Sequence, residues 1–322
     1  MAHAEKTHVS AQSSAGKTEA SATGPVRRRW LILLLSVGAG FLLTVVWSAE
    51  FVDRTIGGNI ARTALGHDPE APISGAVAGI VFAFTSGLAG TFTACNIAVF
   101  GTVAPILGAA GSRWGRMVQA LKPLGWMSLG MITVSALYGA LVGVVGTSMP
   151  QFSEAESAPG VLSGRSVQSM VAFGAVGMAM LYMGLSALGF VRDPFERLRR
   201  RFPNVQSIFM GALIGGFLIG RPYPLFRQLF RDAAESGNVL YGAAAFTLQS
   251  VGNIALMSVV FVALTVVAGG RMQAWLARPG RAATLIAVTL IVAGAFTILY
   301  WDIRLLARRE IIPWYPVAPW AA

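Results

Sequence analysis

The sequence predicts an all-α polytopic membrane protein, with one N-terminal anchor helix followed by a six-span inverted repeat (3+3) that contains broken helices. Three observations predict it. Of 322 residues, 55% are hydrophobic and only 12% charged, with mean hydropathy +0.63, whereas a soluble domain carries about a quarter charged residues. The apolar residues gather into runs near the ~20 that a bilayer requires. Two of these runs are interrupted, at corresponding positions of the two halves.

Residues 1–26 are rich in Ala, Ser, Thr, Gly and Lys and read as a disordered cytoplasmic tail. Arg27, Arg28 and Arg29 precede the apolar run Trp30 to Trp47. Residues 27–48 therefore read as an uncleaved transmembrane anchor. A cleaved signal peptide is the rival, but the run exceeds the ~7–15 residues of an h-region and no A-x-A site follows. Residues 49–73 form an extracytoplasmic loop. The six later spans fall at about 74–110, 123–147, 167–191, 206–235, 239–269 and 282–301, with the first and fourth broken. They divide into repeats at 74–191 and 206–301, and 302–322 is an extracytoplasmic tail.

Charge placement tests this order. With the N-terminus inside, sixteen Lys and Arg fall in inner segments and eight in outer ones, leaving Arg221 at a break. That asymmetry follows the positive-inside rule. It predicts a multi-pass protein of the inner or plasma membrane, N-terminus cytoplasmic and C-terminus extracytoplasmic. The run "RLLARRE" at 304–310 opposes the rule, while Trp301, Trp314, Tyr315 and Trp320 suit an interfacial belt there.

Composition also excludes function classes. Cys95 is the single cysteine, so an intramolecular disulfide and a Cys-rich metal site are excluded. His3 and His8 lie in the tail and His67 in a loop, which excludes a haem held between membrane histidines and a His-based zinc site. No cofactor or metal is expected. No basic patch interleaved with exposed aromatics points to nucleic acid; the bilayer is the predicted partner. Of fourteen acidic residues only Asp232, Glu235 and Asp302 lie near spans, which leaves few groups for a buried proton relay.

The breaks carry the candidate site. They read "GLAGTFTACNIAVFGTVAPILG" (87–108) and "GALIGGFLIGRPYPLFRQLFRDAAESG" (211–237). Matched interrupted helices point to a functional centre near the midplane, although glycines also serve close helix packing. Residues 206–220 make about 22 Å of helix, short of the ~30 Å hydrocarbon core, so Arg221 is expected inside it. Pro222 and Pro224 suit the start of a second half-helix. Its N-terminus, with Arg221, Tyr223 and Arg227, would make an anion or thiolate site. Arg227 and Arg231 share a face at i, i+4, near Asp232 and Glu235; a solvated interfacial face is the alternative. Asn96, Gln249 and Asn253 are the polar groups expected within the bundle, either bonding between helices or lining the cavity. Cys95 is either a packed small hydrophobe or a one-thiol catalytic site whose pKa a positive charge lowers.

The pattern resembles the membrane domain of the disulfide-relay family, the cytochrome c biogenesis CcdA proteins and the central domain of DsbD. Gly87 and Leu88 precede Cys95 as that family's Gly-Leu precedes its cysteine, and "RPYP" leads into "DAAESGNVLYGAAAFTLQSVGN". The resemblance covers roughly 74–301. It implies two inverted threes and links to thioredoxin-like or cytochrome c maturation partners. The chain departs from the family where Ala94-Cys95 replaces one Pro-Cys pair and Pro222-Tyr223 the other. A mixed disulfide needs a second thiol to resolve it, so this chain alone is not expected to run a dithiol relay. Three functions stay open: a CcdA/DsbD-type protein of cytochrome c biogenesis or extracytoplasmic thiol redox, with an incomplete relay; a transporter of a small anionic or sulfur-containing solute; a non-catalytic subunit of a membrane complex.

Overall fold

The computed structural model describes residues 26–48, 76–91, 113–152, 159–220, 224–276 and 280–321, with a few isolated positions elsewhere. Among them every regular element is helical. The expected tail and most of the loop at 49–73 lie outside the described residues.

The helices are α1 (Val26–Val46), α2 (Ala76–Ala89), α3 (Arg113–Val145), α4 (Gly164–Ala187), α5 (Glu196–Arg201), α6 (Val205–Gly220), α7 (Pro224–Glu235), α8 (Val239–Leu276), α9 (Arg281–Ile298) and α10 (Arg304–Arg308). Two 3-10 turns, Gly146–Ser148 and Pro150–Phe152, follow α3. Among the described residues, five helices are long and apolar enough to cross a membrane: α1, α3 over Leu121–Ser148, α4, α8 over Val239–Ala263, and α9 continued to Arg308. Of the two segments expected to be broken, the described parts include short apolar helices, α2 with 14 residues and α6 with 16; residues 92–112, with most of the first break, lie outside the described residues. At 1.5 Å per residue they reach only about 21–24 Å.

Several bounds differ from expectation. α3 begins ten residues before the span at 123, and α8 runs to Leu276, past 269. Both overhangs carry charges, Arg113, Arg116 and Lys122 on α3 and Arg271 on α8, yet include good helix formers such as Met, Gln, Ala and Leu, so the helix continues where the hydropathy ends. The last helix does not stop at 301. A π turn, Leu299–Ile303, carries it into α10.

Packing is by glycine. A Cβ placed on Gly87 would overlap the carbonyl oxygen of Gln249, and one on Gly252 that of Phe84, so α2 and α8 touch backbone to backbone. The same holds for α3 and α6: Gly130 lies on the Ile208 carbonyl and Gly211 on that of Met127. Without a hydrophobic drive between helices in lipid, such close approach gains its energy from dispersion. Ser250 donates to Ser135 at 2.6 Å, tying α8 to α3 inside the bundle. Phe173, Met131, Met180, Ile214, Met257 and Leu290 fill the centre.

α1 docks on α9, with Gly40 so close that a Cβ there would stand 2.9 Å from Ala295 Cβ. Its start meets the end of α4, where Trp30 packs on Phe190 at 4.8 Å. Its end meets the C-terminal segment. The last carbonyls of a helix have no intrahelical partner, and here four successive ones are filled. Arg304 donates to Thr44 O at 2.7 Å and Trp47 O at 3.1 Å. The Ala318 amide takes Val45 O at 3.0 Å and Trp320 Nε1 takes Val46 O at 3.1 Å. Arg304, 1% exposed, also bonds the Ala321 carbonyl and lies over the Tyr300 ring. The "RLLARRE" run that opposed the charge rule thus contains a buried clasp.

Candidate functional site

The site is built where α6 ends. Gly220 is its last residue, and its backbone presses on the Phe173 ring of α4; a Cβ there would meet that ring at 2.8 Å. The last carbonyls of a helix have no intrahelical partner and need one from elsewhere in the fold. Two side chains from the first turns of α4 serve them. Gln168 Nε2 donates to Ile219 O at 2.8 Å, and Ser169 Oγ donates to Gly220 O at 2.6 Å. Gln168 Nε2 also stands 2.9 Å from the Tyr138 hydroxyl and 3.3 Å from Gln151 Oε1, and the Tyr138 hydroxyl donates to that same oxygen.

α7 restarts the chain at Pro224. Its sequence "PLFRQLFRDAAE" is amphipathic: Leu229, Phe230, Ala233 and Ala234 are buried, while Arg227, Arg231 and Glu235 are exposed. Phe230 stacks on Phe246 at 4.7 Å, with Tyr138 edge-on to both. Tyr138 lies seven residues before the end of α3, so the break sits about 10 Å below that end. Asp232 accepts from the Tyr241 hydroxyl.

Between α4, α7 and the turn after α3 lies a cavity of about 360 Å³. Arg165, Arg227, Arg231, Gln151, Gln168 and Ser169 supply its polar wall, and no carboxylate is among the described lining residues. Arg227 and Arg309 both repel Arg165 electrostatically. Gln151 Nε2 is buried without a partner. At ~30 Å³ per water the space holds on the order of ten waters or a small solute.

A second polar point marks the end of α2. Thr91 Oγ1 lies 3.3 Å from Gly87 O and 3.3 Å from both Asn253 O and Asn253 Oδ1. One turn away on α8, Gln249 is 1% exposed and neither amide atom has a partner.

Of the residues singled out in sequence, Arg227 lines the cavity, and Gln249 and Asn253 stand at the α2 end rather than in its wall. Cys95, Asn96, Arg221 and Tyr223 lie outside the described residues. Sequence reasoning missed Arg165, Gln168, Ser169 and Gln151. The available signal was "RSVQS" (165–169), four polar side chains opening an otherwise apolar span. No groups of three or more His, Cys, Asp or Glu able to hold a metal occur among the described residues.

No family model, curated protein or solved structure matches the chain. The functional argument therefore rests on the site itself.

Proposed function

We propose that this chain is a transporter of a small anionic solute, built from an N-terminal anchor and a six-span inverted repeat. The observation that carries the reading is the cavity at the α6–α7 break: three arginines, Arg165, Arg227 and Arg231, with no carboxylate among the described lining residues. Ionisable groups at membrane depth are costly and mark substrate pathways. Irregular backbone at membrane depth is found where it is buried in protein or lines a water-filled cavity, and interrupted helices frame the solute sites of many transporters. Gln249, buried with a free amide near the other short helix, offers a second polar station.

The inverted repeat has its own support. In both glycine contacts, each glycine faces the carbonyl three residues before its partner's glycine: Gly87 and Gly252 with Gln249 and Phe84, Gly130 and Gly211 with Ile208 and Met127. That reciprocity relates α2–α8 to α6–α3, the exchange an inverted 3+3 repeat requires. The frame is thus in keeping with the CcdA/DsbD-like architecture, while the relay chemistry lacks its second thiol. The membrane is a plasma or inner membrane, with the N-terminus in the cytoplasm. The end of α1 meets residues 318–321, which supports termini on opposite faces.

The test is uptake of labelled small anions into proteoliposomes holding the purified full chain. Saturable uptake that is lost in an Arg165→Gln, Arg227→Gln double variant and unchanged in Cys95→Ser is expected. Absence of any anion uptake, together with cycling of Cys95 between thiol and mixed disulfide, would replace transport with thiol chemistry.

A further inference from the structure

We infer that the cavity at the α6–α7 break takes a divalent oxoanion, with the Gln151 amide as a specificity-determining donor beside the Arg165 and Arg227 guanidiniums. This deepens the transporter reading and rests on it for the direction of use, not for binding.

The amide orientation follows from its neighbours. Gln151 Oε1 accepts from the Tyr138 hydroxyl and faces Gln168 Nε2 at 3.3 Å. Turned over, Gln151 would set its own NH2 against the Gln168 NH2. Its Nε2 must therefore point elsewhere, and that atom is buried, unpartnered and on a residue of the cavity wall. A buried donor without a partner is costly and calls for a ligand.

The charge follows from the arginines. Arg227 and Arg309 both repel Arg165, and the described wall has no carboxylate to offset them. A divalent ion between the guanidiniums gains about twice the Coulomb attraction of a monovalent one. Guanidiniums present paired donors that match paired oxygens, which an oxoanion has and a halide lacks. A phosphate-type group could arrive free or on a lipid headgroup. A phosphodiester headgroup carries one charge, so the charge argument favours the free dianion.

The test is calorimetric binding of sulfate to the detergent-purified full chain at low ionic strength, with nitrate and chloride as comparisons. Sulfate should bind at least tenfold more tightly than either. Gln151→Glu keeps the Oε1 acceptor but replaces the donor with a charge, and should weaken sulfate at least tenfold. Should that variant fail to fold, Arg227→Gln on the exposed face of α7 serves instead, with the same loss expected. Equal affinity for nitrate and sulfate, or sulfate affinity unchanged in the folded variant, overturns the inference. So does loss of sulfate binding in phosphatidylglycerol nanodiscs, which would assign the site to a headgroup. Sulfate binding without any anion uptake removes the transporter reading and leaves this inference standing; uptake of a monovalent anion without sulfate binding does the reverse.

Discussion

At the scale of single residues, the α6 end shows how a helix stops inside a bundle. The Ile219 and Gly220 carbonyls have no intrahelical partner, and Gln168 and Ser169 take them. Gln168→Leu removes the donor to the half-buried Ile219 carbonyl. The loss should be about 1–3 kcal/mol, read as a lower melting temperature of the detergent-purified protein. An unchanged melt would mean the break is solvated after all. Gln249 predicts the opposite sign. Its amide is 1% exposed and unpartnered, so its native state carries an unpaid desolvation cost of about 1–3 kcal/mol. Gln249→Leu should raise the melting temperature while reducing anion uptake. A gain in stability with full uptake would remove Gln249 from the path and leave it a packing defect.

At the scale of elements, the glycine contacts decide which helices pair. Gly211 lies on the Met127 carbonyl and Gly130 on that of Ile208, so any side chain at either position forces α3 and α6 apart. Overpacking a close contact costs typically 1–3 kcal/mol, occasionally more, and here the atom met is rigid backbone. Gly211→Val should prevent accumulation of folded protein in the membrane. Gly125→Ala on α3, where nothing lies within 4 Å of the added Cβ, should be tolerated. Equal yields of the two in a fluorescence size-exclusion assay would contradict the packing. The short helix α7 follows another rule. Its apolar face, Leu229, Phe230, Ala233 and Ala234, is buried and fixes which way the arginines of the opposite face point.

At the scale of the whole molecule, α1 is more than a tether. Thr44, Val45, Val46 and Trp47 all give their carbonyls to the C-terminal segment or to Arg304. Arg304→Ala should cost on the order of 3 kcal/mol, since hydrogen bonds to a charged group contribute about 1.5–3 kcal/mol each. It should also expose the C-terminal segment to protease. Arg304→Lys should rescue poorly, because a single ammonium lacks the fork that reaches separate carbonyls. Since the end of α1 and residues 318–321 share one end of the bundle, the two termini are expected on opposite faces. Reporter fusions at residue 322 should be active outside the cytoplasm; cytoplasmic activity would reverse the orientation.

The sequence alone determined the membrane class, because bilayer insertion depends on hydropathy summed over ~20 residues and not on which residues touch. Spans at α1, α3, α4, α8 and α9 were legible for that reason. So was the shortness of α6, since Gly220 is followed by Arg221 and two prolines. Helix ends at 113, 276 and 308 were not, because helix propensity continues after hydropathy stops. The cavity wall was legible only at Arg227 and its i+4 neighbour Arg231, on one amphipathic helix. Gln168 and Ser169 stand 51 residues away in the chain from the carbonyls that they meet, and Arg165 shares the cavity wall with Arg227 from another helix. Only tertiary packing brings them together. No local pattern specifies which distant donor a broken helix end will find, because the close approach that selects it is set by glycines on other helices.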